Sequence, residues 1–187
     1  TVQKILDIEL TWKITECGKI AVSIAVKKDD EFPDLPRFGV RLFLDKKLDE
    51  VRYFGMGPQE SYRDKHQSAS HGLYRSKVSD MHEDYIKPQE NGSHFDCDYV
   101  ELANSQFGLT VVAEKSFSFN ASGYTQEELE KAAHNYELTE SDSTVLCIDY
   151  AMNGIGSNSC GPVVLDAYRF SEALFRFQFE MVPFVKG

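Results

Sequence analysis

The sequence predicts an all-β fold, an antiparallel β-sandwich, on the basis of two observations. Apolar residues recur at every second position in several runs, as in Ile20, Val22, Ile24 and Val26, and this period of two is typical of strands. The residues between them are small or polar, whereas strands of parallel sheets are apolar on both faces. Since 187 residues with 42% apolar composition can bury one substantial core, we expect residues 1–187 to form a single sandwich domain.

The predicted strands follow one another along the chain. The first contains Ile5 and Leu10, and residues 16–19 provide a turn before the run that begins at Ile20. One row of each strand is apolar and the other is polar, so each strand is expected to place one face on the core. Three later runs alternate in the same way, at residues 38–44, 109–119 and 175–181.

The segment VRYFGMGPQESYRDKH, residues 51–66, breaks this alternation. Gly55 and Gly57 permit either a positive φ or a close approach between backbones. Pro58 fixes φ and lacks an N–H donor, so the strand is expected to end there. From residue 54 to residue 97 no periodicity is sustained. A segment of this length without regular structure predicts a functional or docking loop, or else it contains an element that the pattern does not reveal.

One short helix is predicted, at residues 125–138. Thr125 and Glu128 have the spacing of a capping box, in which a hydroxyl caps the first helical turn. The apolar residues that follow form one stripe, which indicates a helix lying across a sheet with His134 exposed. They are Leu129, Ala132, Ala133 and Tyr136.

Charge and cysteine content argue against several classes of function. The formal net charge of −10 repels nucleic-acid phosphates, so no nucleic-acid partner is expected. No run approaches the roughly 20 apolar residues of a membrane helix, so no membrane partner is expected. The cysteines are far apart and form no C-x-x-C pair, which favours reduced thiols in a cytoplasmic protein.

The acidic residues and histidines do not match a recognised catalytic motif, and solvated surface acids are the more common arrangement. His66 and His71 are candidates for metal ligands or an acid–base pair, although a loop histidine bonded to backbone is more common. In an extended strand, His94 and Asp96 would share one face and Cys97 would lie on the other, so no metal site is expected there.

A second glycine-rich segment, GIGSNSCGP, occupies residues 154–162. It follows a strand that ends near Tyr150 and precedes one that is expected to begin near Val163. Its small polar side chains suit contact with a sugar hydroxyl or with a neighbouring domain. A plain structural turn remains the alternative.

Four motifs occur in order: YFGMGPQESYRDK, SDMHEDYIKPQENG, NASGYTQEELEKAAH and GIGSNSCGP. Together they resemble the C-terminal domain of glycoside hydrolase family 2 β-galactosidases, which some bacteria carry on a separate small subunit. The similarity runs over about residues 12–181. It implies an antiparallel supersandwich of the galactose mutarotase type. In that family the catalytic glutamates and the divalent and monovalent metal ions belong mainly to a barrel domain, which implies no catalytic residue, metal ligand or cofactor in this chain.

The resemblance also implies partners and a binding loop. The partners are the remaining domains or large subunit of the enzyme, a β-galactoside substrate and further copies in a homo-oligomer. In the family, a loop of this domain places a tryptophan against the sugar, and that position falls on Cys160. The substrate-binding residues expected here are therefore Asn158, Ser159 and Cys160. Since the chain begins at Thr1 within strand-like sequence, we interpret it as an N-terminally truncated domain.

Two alternatives differ in class. One is a free-standing mutarotase-like aldose epimerase that uses His66 or His71 with a nearby acid for proton transfer. The other is a carbohydrate-binding module, for which the single tryptophan, Trp12, offers few stacking surfaces.

Overall fold

The computed structural model describes residues 3–156 and 161–186, which form nine antiparallel strands and very little helix. The all-β antiparallel class predicted from the sequence is confirmed. The α-helix of this region, α1, is Gln126–Lys131. The strands are β1 Leu6–Ile14, β2 Ile20–Lys28, β3 Arg37–Asp45, β4 Glu50–Gly57, β5 Ser70–Lys77, β6 His94–Ala103, β7 Phe107–Ser122, β8 Ser143–Met152 and β9 Leu174–Val185.

The strands form one hydrogen-bonded sheet in the order β1-β2-β9-β7-β6-β4-β5, with β8 and β3 on a branch. The branch starts from β7, a strand of 16 residues whose first part pairs with β9 and whose end, from Ser118, pairs with β8. The branch folds over β9. The ring centroids of Phe38 on β3 and Phe175 on β9 lie 5.0 Å apart, and Tyr150 of β8 stacks on Phe175 at 4.7 Å. Two layers therefore enclose the core.

The core follows the predicted alternation. On β2, Val22, Ile24 and Val26 are at most 4% exposed, and on β9 the rings of Phe177 and Phe179 are buried beside them. Each large apolar side chain buried in this way contributes about 1.5–3 kcal/mol relative to exposure. The turn predicted at residues 16–19 joins β1 to β2, and its Gly18 has a φ of +81°.

The predicted helix is shorter than expected. Thr125 caps it as predicted, because its Oγ1 accepts a hydrogen bond from the Glu128 amide at 3.1 Å. The helix ends at Lys131, and Ala132 is already extended with a ψ of 135°. The Glu137 carboxylate binds the next two amides, so these donors are not available to continue the helix. Two further members of the predicted apolar stripe are exposed as a result, Ala133 and Tyr136.

Two further expectations are wrong. The segment between residues 54 and 97 contains β5, which pairs with β4 along its whole length. No strand begins near Val163, which is 81% exposed. A 3-10 turn at Asp166–Tyr168 follows instead, and β9 begins only at Leu174.

Candidate functional site

The two glycines that interrupt the alternation mark a close contact between strands. Gly55 and Gly57 lie in β4, and neither has a positive φ. A Cβ at Gly55 would lie 2.9 Å from the Cα of Cys97 on β6, and one at Gly57 would lie 2.9 Å from the ring of Tyr74. Close approach, the second of the two predicted reasons, therefore requires glycine here.

Glu60, in the polar segment after β4, gathers several hydrogen bonds at one buried carboxylate. Its Oε2 accepts from the Tyr62 hydroxyl at 2.9 Å and from the Gly92 amide at 3.0 Å. Its Oε1 accepts from Lys65 Nζ at 2.7 Å and from the Tyr85 hydroxyl. Burial works to raise the pKa of Glu60, but these hydrogen bonds outweigh burial and hold the pKa below its usual value. The ionised carboxylate thus ties the segment after β4 to the residues before β6.

Asp64 connects the same polar segment to the second glycine-rich segment. Its carboxylate accepts hydrogen bonds from the Ile155 amide at 3.0 Å and from the Gly156 amide at 2.8 Å. A Cβ at Gly154 would lie 2.7 Å from Asp64 Oδ2, so this approach requires glycine. The Gly154 amide donates to the Tyr168 carbonyl at 2.8 Å. The start of the 154–162 segment is therefore held from two sides.

Two arginines fasten the polar segment to the residues before β9. Arg63 donates to the carbonyl oxygen of Arg169 at 3.1 Å. Arg169 donates in turn to Asp34 at 2.6 Å and to Asp166 at 3.2 Å. Since the Arg169 side chain is 49% exposed, solvent screening leaves each ion pair with little effect on stability. Their effect is to hold the approach to β9 in place.

A cleft of about 460 Å³ lies beside this region. Asp96, on its lining, has a φ of +55° where the register of β6 against β7 shifts. Strained non-glycine residues of this kind concentrate at functional sites. The volume falls within the range of small-molecule sites, and the lining offers both hydrogen-bond donors and acceptors. The lining includes Arg63, Phe95, Asp96, Lys115, Tyr150 and Glu172.

A separate buried ion pair joins β3 to β8. Arg37 donates to the two carboxylate oxygens of Asp149 at 2.7 and 2.8 Å, and it also contacts Glu90. Burial raises the pKa of Asp149 to about 6, and the two hydrogen bonds from Arg37 oppose burial and favour the ionised carboxylate. Gly39 leaves no room for a Cβ beside this carboxylate. Because both oxygens of Asp149 have donors, the pair has a structural role.

The candidate histidines are bound to backbone. Nδ1 of His66 donates to the Tyr62 carbonyl and Nε2 of His71 donates to the Asp96 carbonyl, both at 3.0 Å. Binding to backbone is the more common arrangement for loop histidines such as His66, and His71, which lies in β5, is bound in the same way. Within residues 3–156 and 161–186, no three potential metal-ligating side chains form a group that could hold an ion.

The expectation that His94 and Asp96 share one face is wrong. The register shift in β6 changes the alternation, so that His94 and Cys97 are both buried while Asp96 lines the cleft. Burial lowers the pKa of His94 to about 4, and the imidazole is therefore neutral at pH 7.

The expected substrate-binding residues, Asn158, Ser159 and Cys160, lie outside the described residues. Sequence reasoning did not identify Asp64, which binds the preceding amides. No sequence pattern could have done so, because Asp64 and Ile155 are 91 positions apart.

Comparison with known proteins assigns the chain to a protein family. Residues 1–181 match the family model described as β-galactosidase small chain. A β-galactosidase of Actinobacillus pleuropneumoniae is 50% identical over 179 residues, which cover 96% of this chain and 17% of the relative. A β-galactosidase of Staphylococcus xylosus is 38% identical over 172 residues, covering 92% and 17%. One of Kluyveromyces lactis is 35% identical over 167 residues, covering 88% and 16%.

The chain therefore spans only about a sixth of the length of these curated relatives, 17% in the first two. No helix in the described part of the chain is long and apolar enough to cross a membrane.

Proposed function

The chain belongs to the β-galactosidase small-chain family, and from this premise we propose that it is a non-catalytic C-terminal domain of a cytoplasmic, homo-oligomeric β-galactosidase. The complete enzyme hydrolyses terminal β-galactosides with retention of configuration. Its catalytic glutamates and metal ions belong to a barrel domain outside this chain, and the two-layered sheet is a supersandwich that packs on that barrel. The observation that carries the proposal is the match of residues 1–181 to the family.

The bonding of the acidic residues supports a non-catalytic role. Retaining glycosidases use two carboxyl groups about 5–5.5 Å apart, one as acid and one as nucleophile. Here the buried Glu60 carboxylate accepts hydrogen bonds from several residues. Asp64 is bound to two backbone amides, and Asp149 is paired with Arg37. These carboxylates are committed to holding segments of the fold together.

The 154–162 segment forms, in this proposal, part of the active-site wall of the complete enzyme. Asn158, Ser159 and Cys160 contact the galactoside there, and the cleft beside the segment continues the wall. Support comes from Asp64, which fixes the start of the segment by binding the Ile155 and Gly156 amides. Since cysteine offers no flat surface to a pyranose ring, the aglycone is held weakly.

The test of this wall is the substitution Asp64→Asn in the complete enzyme. An amide in place of the carboxylate removes a charged acceptor from two backbone amides, which costs about 1–2 kcal/mol, or roughly five- to thirtyfold in the population of the held segment. We expect KM for a galactoside with a bulky aglycone to rise several-fold, with kcat nearly unchanged. Glu83→Gln, at an exposed acid, is the matched control and should change neither constant.

Two results would contradict parts of the proposal. If a substitution of an acid in this chain abolished turnover without changing KM, the non-catalytic role would be refuted. If both Asp64→Asn and Cys160→Trp left KM and transglycosylation unchanged, the role of the segment in the active-site wall would be withdrawn, while the family membership would stand.

A further inference from the structure

β1 carries a core-facing apolar row that nothing in the described part of the chain covers. The register places Leu10 opposite Ile24 and Trp12 opposite Val22, and opposite residues of an antiparallel pair point to the same face. Ile24 and Val22 are 3% and 2% exposed, whereas Leu10 and Trp12 are 50% and 46% exposed. The β1 apolar row consists of Ile8, Leu10, Trp12 and Ile14.

The abrupt change in exposure follows from the reach of the second layer. Phe38 of β3 packs on Phe175 of β9, and Phe175 pairs with Val26 of β2. The branch therefore covers β9 and β2. β1 lies one strand spacing further out, about 4.8 Å, and the described residues place no strand above it. The inner face of the sheet therefore extends one strand beyond the part that β3 and β8 cover.

The backbone edge of β1 is also free. Within residues 3–156 and 161–186, β1 pairs with β2 alone, so about half of its N–H and C=O groups point away from the sheet. Exposed edges are usually protected by charges, proline or a bulge. β1 carries Asp7, Glu9 and Lys13 on its other face, but the β1 apolar row itself has no charge and the pairing with β2 shows no register shift. On the opposite edge strand, β5, the inner-facing residues are Gly72, Tyr74 and Ser76, and Tyr74 packs against Tyr53. Of these two edge strands, β1 is the one that presents an exposed apolar row on its inner face.

We propose that an extended segment from the rest of the β-galactosidase polypeptide pairs with the free edge of β1 and covers the β1 apolar row. This inference rests on the proposed function and identifies the surface through which the chain contacts the rest of the enzyme. A strand is the fitting occupant because a helix would cover the row but leave the edge groups unpaired. Further polypeptide exists in the relatives, since the matched region is 17% of the first one.

A second copy of the chain fits this surface less well. Each copy has a formal net charge of −10, so two copies that meet edge to edge repel one another over a short distance. Another segment of the same enzyme is either joined to the chain or already docked on it elsewhere. Its association with β1 is therefore opposed by less additional charge repulsion, and its effective concentration is high.

The first test is photo-cross-linking in the complete enzyme, as one polypeptide or as two subunits. Trp12 is replaced by p-benzoylphenylalanine, and the cross-linked peptides are identified by mass spectrometry. We expect a cross-link to a peptide outside the 187 residues of this chain. Leu73, which is 56% exposed on the edge strand β5, serves as the control position and should not give that peptide. A cross-link to a second copy of this chain, or no cross-link at all, would overturn the proposal.

A second measurement keeps the proposal testable if cross-linking perturbs assembly. Leu10→Asp places a carboxylate within the covered row, and we expect the β1 amides of the complete enzyme to exchange hydrogen about tenfold faster or more. Thr11→Asp should change exchange less than threefold. Equal changes in the two variants would refute the covering segment. Full activity after removal of the whole chain would instead refute the proposed function, while the Trp12 cross-link would still report on the surface.

Discussion

The buried carboxylate of Glu60 offers the most direct test of how the polar segment after β4 is held. Two substitutions separate its contributions. Glu60→Ala removes the acceptor for all of its donors, whereas Glu60→Gln keeps one acceptor oxygen, which can face the Tyr62 hydroxyl and the Gly92 amide. The second variant loses only the acceptor for Lys65 and Tyr85.

The expected costs follow from the burial of each donor. Tyr62 and the Gly92 backbone are buried, and an unsatisfied buried donor costs about 1–3 kcal/mol. The Lys65 side chain is 51% exposed, so its ion pair contributes at most about 1 kcal/mol after screening. We therefore expect Glu60→Ala to lower the free energy of unfolding by about 3 kcal/mol and Glu60→Gln by about 1 kcal/mol.

Urea unfolding of the chain at pH 7 and pH 4 measures both the cost and its origin. The pKa of Glu60 lies below its usual 4.5, so the stability that comes from its charge is present above pH 4.5 and is lost as pH falls through the lower, folded-state pKa. The difference between the parent and Glu60→Gln should shrink accordingly below pH 4.5. Glu83→Ala, at an exposed acid, is the control. A cost for Glu60→Ala that equals that of the control would refute the reasoning.

Three other predictions follow from the same packing. Gly55→Ala should lower the free energy of unfolding by about 2 kcal/mol through overpacking. Gly72→Ala should lower it much less, because a Cβ there would meet nothing closer than 3.4 Å. Thermal melts of the two variants test this difference. The pKa of His94, about 4 through burial, lies below the usual 6.5, so stability should fall as pH drops from 6.5 towards 4, and His94→Phe should remove this slope in melts. Exposed Cys17, whose pKa a Thr15 hydrogen bond lowers, should react with a thiol reagent faster than Cys97, whose pKa burial raises; equal rates in a stopped-flow assay would contradict the burial of Cys97.

The strands were predictable from sequence where packing and alternation coincide. β2 and β9 present large apolar residues at every second position, so their pattern was sufficient. β5 presents Gly72, Tyr74 and Ser76 to the inner side, and two small residues at core-facing positions leave no apolar period to detect. The start of α1 was predictable because the Thr125 cap is local. Its end was not, because it depends on where the Glu137 side chain binds.

The candidate site was less predictable because its contacts are distant in sequence. Gly55 and Gly57 are recognisable as a break in the pattern, but the choice between positive φ and close packing depends on β6 and β5. Asp64 reads as one surface acid among many until the Ile155 and Gly156 amides are seen to bind it. Local patterns hold no information on such pairings, which the folded backbone alone brings together.

The pairing of β2 with β9 has a consequence for synthesis of the protein. Ser23 and Gln178 are neighbours across this pair although 155 residues separate them. At a translation rate of about 5–20 residues per second, the hairpin of β1 and β2 leaves the ribosome roughly 8–30 s before its partner strand exists. Throughout that interval both apolar rows of the hairpin stay exposed, and they are a target for chaperones and for other nascent chains. The synthesis of β9 therefore determines when the apolar row of β2 can be buried.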